Sequence, residues 1–316
     1  QYLGFQISES TFTNNFGLSA VASIYGVSSY STSVYGSNFC GVGEHVDGTY
    51  SNDHFNCFTD NCEDADGDNR PDDCDQCSGV EEDANGNGWA DCAETDNGDG
   101  TFIYHVAAGT QIQSALDIAG DGDVVELAAG DYHETITMPD IDDVTLQGTV
   151  DVDGYLLSRL VPNEGGLDGS AITINSPSVT PFIKDLYISG SSTMGGGMLI
   201  SGTYVSITNC TFENCTAAEG GAVAFIGGAP FARPMFTECR FLSNTATRGG
   251  AIWGGWSHPQ GIATEILLGS CIFDSNEADS NGGALSINPS QYSQYLGFQI
   301  SESTFTNNFG RSAVAS

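Results

Sequence analysis

Along the second half of the chain, apolar and polar residues alternate in short runs broken by Gly, Asn, Asp and Ser. In one such run Cys239 and Phe241 fall on one side and Arg240 on the other, which is the two-residue period of a strand. The run recurs. Cys210-Thr211-Phe212, Cys239-Arg240-Phe241, Cys271-Ile272-Phe273 and Ser303-Thr304-Phe305 follow one another at offsets of 29, 32 and 32. Each is trailed by a Gly-rich step: Gly220-Gly221-Ala222-Val223, Gly249-Gly250-Ala251-Ile252, Gly282-Gly283-Ala284-Leu285 and the looser Gly310-Arg311-Ser312-Ala313-Val314. A unit of this length recurring in register is one coil of a solenoid, with like residues stacked about 4.8 Å apart.

The pattern therefore predicts columns. Phe212, Phe241, Phe273 and Phe305 form an internal aromatic column, each burial contributing about 1.5–3 kcal/mol. Val223, Ile252, Leu285 and Val314 form a facing aliphatic column. Asn244, Asn276 and Asn308 stack at one turn as an amide ladder, with Cys215 in that slot of the first coil. The Gly pairs supply the backbone angles of a sharp corner. These residues read as architecture, not catalysis.

Further upstream the period changes. Gln111 to Ala119 has helical spacing, with Ile112, Ala115, Leu116 and Ala119 on one face and Thr110 as N-cap. Gly120-Asp121-Gly122-Asp123 breaks the helix. Strands are then expected at 124–127, 136–138 and 144–146, with later coils using 171–174, 182–188 and 198–200.

A longer period spans the whole chain. Residues 1–23 and 294–316 match at 22 of 23 positions across an offset of 293, differing only at Leu18 and Arg311. Near-identical copies are the signature of an array. The alternative is a segment duplicated within one subunit. In the array reading, residues 1–56 are the final coils and tail of a preceding copy, 57–100 a connector, and 101–316 a capped β-helix. The start at Gln1, with no basic-plus-apolar leader, reads as a processed or excised piece.

Composition narrows the function. The 316 residues carry 41 Asp or Glu against 7 Lys or Arg, a formal charge of -34. Such a chain repels nucleic acid and anionic lipid and suits a cation-rich, extracellular or cell-surface setting. With 40% hydrophobic residues and 41 Gly it is not disordered by composition. No stretch is apolar for long enough to span a bilayer as a helix. Six of the ten cysteines, Cys40, Cys57, Cys62, Cys74, Cys77 and Cys92, lie in or beside an Asp-rich stretch. That grouping favours disulfides in an oxidising compartment. Zinc at Cys74-Asp75-Gln76-Cys77 is the competing reading.

The Asp-rich stretch holds the candidate chemistry. Residues 83–94 fit a 12-residue calcium loop: Asp83, Asn85 and Asn87 at positions 1, 3 and 5, Gly88 at 6, the Trp89 carbonyl at 7, Asp91 at 9 and Glu94 at 12. Residues 64–75 repeat the pattern with Asp64, Asp66, Asp68, the Arg70 carbonyl, Asp72 and Asp75, and Asn69 replaces the Gly. Asn tolerates left-handed backbone, so the exchange is mild. Residues 57–100 contain 15 acidic residues against Arg70 alone, a net of -14. Carboxylates about 4 Å apart repel by about 4 kcal/mol per pair at an effective dielectric near 20, so a compact loop needs a cation, here Ca2+.

Three resemblances follow from these residues. Phe241-Leu242-Ser243-Asn244 with Gly249-Gly250-Ala251-Ile252 resembles the repeats of chlamydial polymorphic outer-membrane proteins. That implies a right-handed parallel β-helix with adhesive roles over about 195–316 and again 1–23. Residues 104–148 look like the opening of pectin-lyase-like β-helices, in which a short helix plugs the solenoid end. The Asp-rich, Cys-punctuated stretch at about 60–100 resembles thrombospondin type-3 repeats, which implies calcium-stiffened spacers. The expected fold is thus all-β, a right-handed parallel β-helix with a capping helix and a calcium-binding connector.

An enzyme of this shape would need a basic residue beside bound uronate, or paired carboxylates in a groove. Lys184, Arg159, Arg233, Arg240, Arg248 and Arg311 form no recognisable cluster, and Asp140, Asp142 and Asp143 sit in an expected turn. His45, His54, His105, His133 and His258 lack metal or nucleophile spacing. Trp253 and Trp256 suit either rim packing or a sugar-stacking platform. Three readings are ordered accordingly: a structural array module whose partners are copies of itself, an adhesin that binds surface glycans, and, on fold analogy alone, a polysaccharide-degrading enzyme. Asn209-Cys210-Thr211 and Asn214-Cys215-Thr216 are glycosylation sequons.

Overall fold

A computed structural model describes residues 93–311 with breaks at 163–168, 177–178, 203, 228–232, 257–263 and 289–295, together with Trp89 and eight short strands between residues 6 and 59. Two compact units divide the chain: Gln1–Thr95 with His105–Ile118, and Asp96–Tyr104 with Ala119–Ser316.

The larger unit is a right-handed parallel β-helix. Each coil lays one strand into each of several sheets, and every neighbouring strand pair across coils is parallel. Parallel neighbours reached by crossovers wind right-handed because twisted strands pack back onto the sheet only that way. Sheet I takes in Val124–Leu127, Thr145–Gln147 and Phe182–Lys184 and reaches Leu296–Ser301. Sheet II runs from Gly130–Tyr132 to Thr304–Thr306, and sheet III from Ile136–Thr137 to Leu285–Asn288. Sheet IV begins only at Thr216–Glu219 and continues to Phe309–Gly310. A fourth side enters where the Cys-x-Phe repeat begins, because the residues between the aromatic and glycine columns there form a strand of their own.

The columns are in register. Phe212, Phe241, Phe273 and Phe305 are successive partners in sheet II. Their rings stack at 5.1, 4.6 and 4.5 Å with interplanar angles of 5°, 6° and 1°. Phe236, from sheet I, meets Phe241 edge-on at 5.7 Å. Val223, Ile252 and Leu285 align in sheet III; Val314 lies outside the described residues. The first three phenylalanines are fully buried, and so are Val223 and Ile252.

The glycine pairs divide their work. Gly220, Gly249 and Gly282 hold φ of +63°, +64° and +67°, where a side chain is strained. Gly221 and Gly250 do something else: a Cβ on either would collide with the backbone carbonyl oxygen of the glycine one coil on, Gly250 and Gly283. The first glycine turns the corner, and the second lets successive corners lie against one another. Gly195-Gly196 is an earlier member of the step, with φ +60° at Gly195 and the Gly221 carbonyl against Gly196.

In the smaller unit the helix is Ile112–Ile118, and it is the one helix among the described residues. Ile112, Ala115, Leu116 and Ala119 are all buried, as the spacing requires. Thr110 donates its hydroxyl to the Ala107 carbonyl at 2.7 Å, so this side chain closes the preceding turn. The same unit contains parallel strands near the N-terminus. Gln6–Ser8 pairs with Ser33–Tyr35, and that strand with Ser51–Asn52. Thr11–Thr13 pairs with Asn38–Cys40, and that strand with Cys57–Thr59. Phe12, Phe39 and Phe58 are thereby partners in one column.

Candidate functional site

Most of the expected calcium ligands lie outside the described residues: Asp64, Asp66, Asp68, Arg70, Asp72, Asp75, Asp83, Asn85, Asn87 and Asp91. Trp89 is buried, and its indole N–H donates to the Ala93 carbonyl at 3.0 Å. Glu94 opens the strand Glu94–Asp96. Among the described residues, no three His, Cys, Asp or Glu side chains gather as a metal site. No described helix is long and apolar enough to cross a membrane.

Several carboxylates of the β-helix are tied to its backbone, its polar side chains or its arginines. Asp123, at the start of sheet I, is buried; its two oxygens accept from the Phe102 N–H at 2.7 Å and the Gly120 N–H at 2.6 Å. Asp142 accepts from the Thr180 N–H at 2.8 Å, and Asp140 from the Ser176 hydroxyl. Both tie turns of neighbouring coils together. Arg159 reaches Asp131, its partner one coil back, at 3.2 Å and lies 4.7 Å over the Tyr187 ring one coil on. Arg248 pairs with Glu219 directly beneath it, and Arg311 reaches Glu277 at 2.7 Å. These are rungs between coils.

A column of asparagines holds the turn between sheets II and IV. Asn244 donates from its amide nitrogen to the Phe212 carbonyl at 3.0 Å, and Asn276 to the Phe241 carbonyl at 2.9 Å. Asn308 does the same for Phe273 at 2.9 Å. Each amide oxygen accepts from the coil below: Asn308 Oδ1 from the Asn276 N–H at 3.0 Å, and Asn276 Oδ1 from the Asn244 N–H at 3.1 Å. The ladder ends where Cys215 donates its N–H to Asn244 Oδ1 at 2.9 Å. Cys210, Cys239 and Cys271 stack at the turn between sheets I and II, and all four described cysteines are buried free thiols. Burial pushes the Cys215 thiol up to about 12 and Cys239 well above its ordinary range. The disulfides expected for Cys40, Cys57, Cys62, Cys74, Cys77 and Cys92 concern side chains outside the described residues.

Several structural residues carried no sequence signal. Glu238 and Glu302 adopt φ of +57° and +51° at the turn between sheets I and II, where Asp185, Asn209 and Ser270 hold the same conformation in other coils. Only the Asp and Asn members advertise it. Ser158 is buried, accepting from the Thr149 N–H at 2.8 Å and facing the Leu127 and Ala128 carbonyls at 2.9 and 2.8 Å. Trp253 is 7% exposed, its ring packed on Gly255, and this favours rim packing over a sugar platform. Its indole N–H is buried without a partner among the described residues. The Trp256 side chain is outside them.

Continuous hydrogen-bonded columns and ion pairs between coils define a parallel β-helix. A family model for the Chlamydia polymorphic membrane protein repeat matches residues 270–288, which run from the αL turn at Ser270 through Phe273 and Asn276 to Gly282-Gly283-Ala284-Leu285. The similarity covers that coil. No curated protein and no solved structure matches the chain.

Proposed function

We propose that the chain is a repeating unit of an extracellular or cell-surface fibre, in which β-helical rods are linked by calcium-stiffened connectors. The observation that carries this is the near-identity of residues 1–23 and 294–316, at 22 of 23 positions, with both copies contributing strands to parallel coils. One sequence used twice as a coil, 293 residues apart, is what a tandem solenoid requires. The Asp-rich stretch at 57–100, similar to thrombospondin type-3 repeats, supplies the joint. Its two loops, Asp64 to Asp75 and Asp83 to Glu94, would hold Ca2+ through carboxylates, Asn amides and the Arg70 and Trp89 carbonyls. Bound calcium would neutralise carboxylates whose repulsion otherwise extends the segment. The helix Ile112–Ile118 precedes the first coil and buries one face, in keeping with a pectin-lyase-like plug. Arg159, Arg248 and Arg311 are held as rungs between coils, which favours architecture over catalysis in this reading.

The match to a membrane-protein repeat favours a second reading, an adhesin that displays the solenoid face to surface glycans or a host ligand. Calorimetric titration of the chain with Ca2+ separates the proposals at their root. Two sites that vanish together in Asp64→Ala/Asp83→Ala are expected. Uptake of no calcium would remove the stiffened joint. A glycan array read in parallel tests the adhesin.

A further inference from the structure

Among the described residues, three sheets of the β-helix share a terminal coil with one side unpaired. Leu296–Ser301, Thr304–Thr306 and Phe309–Gly310 are the terminal strands of sheets I, II and IV, each paired on one side only among the described residues. Ile300, Phe305 and Phe309 are 46%, 41% and 58% exposed, whereas Phe273 one coil earlier is fully buried. Phe305 covers Phe273 face to face and has nothing described on its own outer face.

The same strands occur a second time in the chain with that edge filled. Gln6–Ser8 has the sequence of 299–301, and Thr11–Thr13 that of 304–306. In the N-terminal copy Ser33–Tyr35 lies on the first strand and Asn38–Cys40 on the second, in parallel register, with Phe39 opposite Phe12. Ser51–Asn52 and Cys57–Thr59 add another coil, bringing Phe58 opposite Phe39. Identical strands offer identical hydrogen-bonding groups and one identical aromatic, so what one edge accepts the other accepts.

We propose that the edge formed by Leu296–Ser301 and Thr304–Thr306 is a docking surface for a second copy of residues 24–59, following residue 316 as the first copy follows residue 23. Ser33–Tyr35 of that copy pairs with 299–301, Asn38–Cys40 pairs with 304–306, and its Phe39 stacks on Phe305. The aromatic column then runs without interruption from Phe212 through Phe305 into Phe39 and Phe58. This identifies the partner in the array reading and rests on it.

The test compares the full chain with the full chain carrying a second copy of residues 24–59 after Ser316. Amide hydrogen exchange is read over 296–310, and Thr304→Cys is combined with Asn38→Cys in the added copy to lock the register. Partners in one parallel ladder lie within disulfide reach. Expected are at least tenfold slower exchange over 296–310, a disulfide between the two introduced thiols found by peptide mass, and loss of both when Phe39→Asp is made in the added copy. An added copy of scrambled order controls for mere length. Unchanged exchange, or a link at another register, overturns the proposal. A joint that forms in a molecule that binds no calcium and builds no filament would sink the fibre reading and leave the joint standing.

Discussion

Asn276 shows how much one side chain carries in a stacked fold. Its amide nitrogen serves the Phe241 carbonyl and Asn308 Oδ1, and its oxygen serves the Asn244 N–H and side chain. All are buried or part-buried, so an apolar replacement leaves several orphaned groups at once. Asn276→Leu is expected to cost about 2–5 kcal/mol in a urea unfolding series, with Asn308→Leu, at the exposed end of the ladder, costing less. The thiols give a pH signature. Native Cys215 keeps its proton up to about 12, against an ordinary value of 9.0. The unfolded chain releases that proton first, so the native state binds the extra proton. The contribution is fully present below pH 9 and is lost as pH rises towards 12, at about 1.4 kcal/mol per pH unit per thiol. The urea midpoint should fall between pH 8 and 10.5, and Cys215→Ala should reduce that fall. A midpoint that stays level would mean the thiol is not buried.

At the scale of the element, the glycine step separates two physical demands that look alike in sequence. Gly249 needs φ of +64° and room for the Ile252 carbonyl oxygen of its own coil, which a Cβ placed there would meet, and Gly250 needs room for the Gly283 carbonyl one coil on. Both obstacles are backbone atoms that cannot swing away, so an Ala at either position must push backbone from backbone, with left-handed strain added at Gly249. Thermal unfolding should show a clear loss for Gly249→Ala and for Gly250→Ala alike; an unchanged midpoint for either would contradict its assigned role. Arg311 makes the opposite point. It is well exposed, and its bonds to Glu277 and Asp279 are solvent-screened. The other copy of this segment has Leu18 at the matching position. Arg311→Leu should leave the unfolding midpoint unchanged, and a clear drop would show that the rung carries load.

The same elements show what a linear pattern can express. The phenylalanine and asparagine columns were legible because each coil repeats one residue type at one spacing of 29 or 32. Helix Ile112–Ile118 was legible because its buried face recurs every three or four residues. Sheet IV was not, since Thr216–Glu219 and Thr245–Arg248 alternate small and polar residues as loops also do. Nor was the turn conformation of Glu238 and Glu302, because the αL geometry there is imposed by the coils on either side and not by the side chain.

For the whole molecule, chelation is the discriminating perturbation. With tandem copies joined by residues 57–100, removing Ca2+ should shorten or bend the particle in small-angle scattering while the amide signal of the β-helix persists, because its columns are held by backbone, amide and aromatic contacts. Loss of both together would place calcium inside the coils instead. The sequence by itself determined the period, the identity of each stacked column, the long repeat and the regular spacing of acidic residues over 64–94, for all of these are regularities along one dimension. Only the tertiary structure decided which carboxylate meets which arginine, which glycine serves the turn and which the stacking, and that a fourth sheet begins at Thr216–Glu219. Those outcomes depend on register between strands about thirty residues apart, and a one-residue slip would exchange every inward side chain for an outward one.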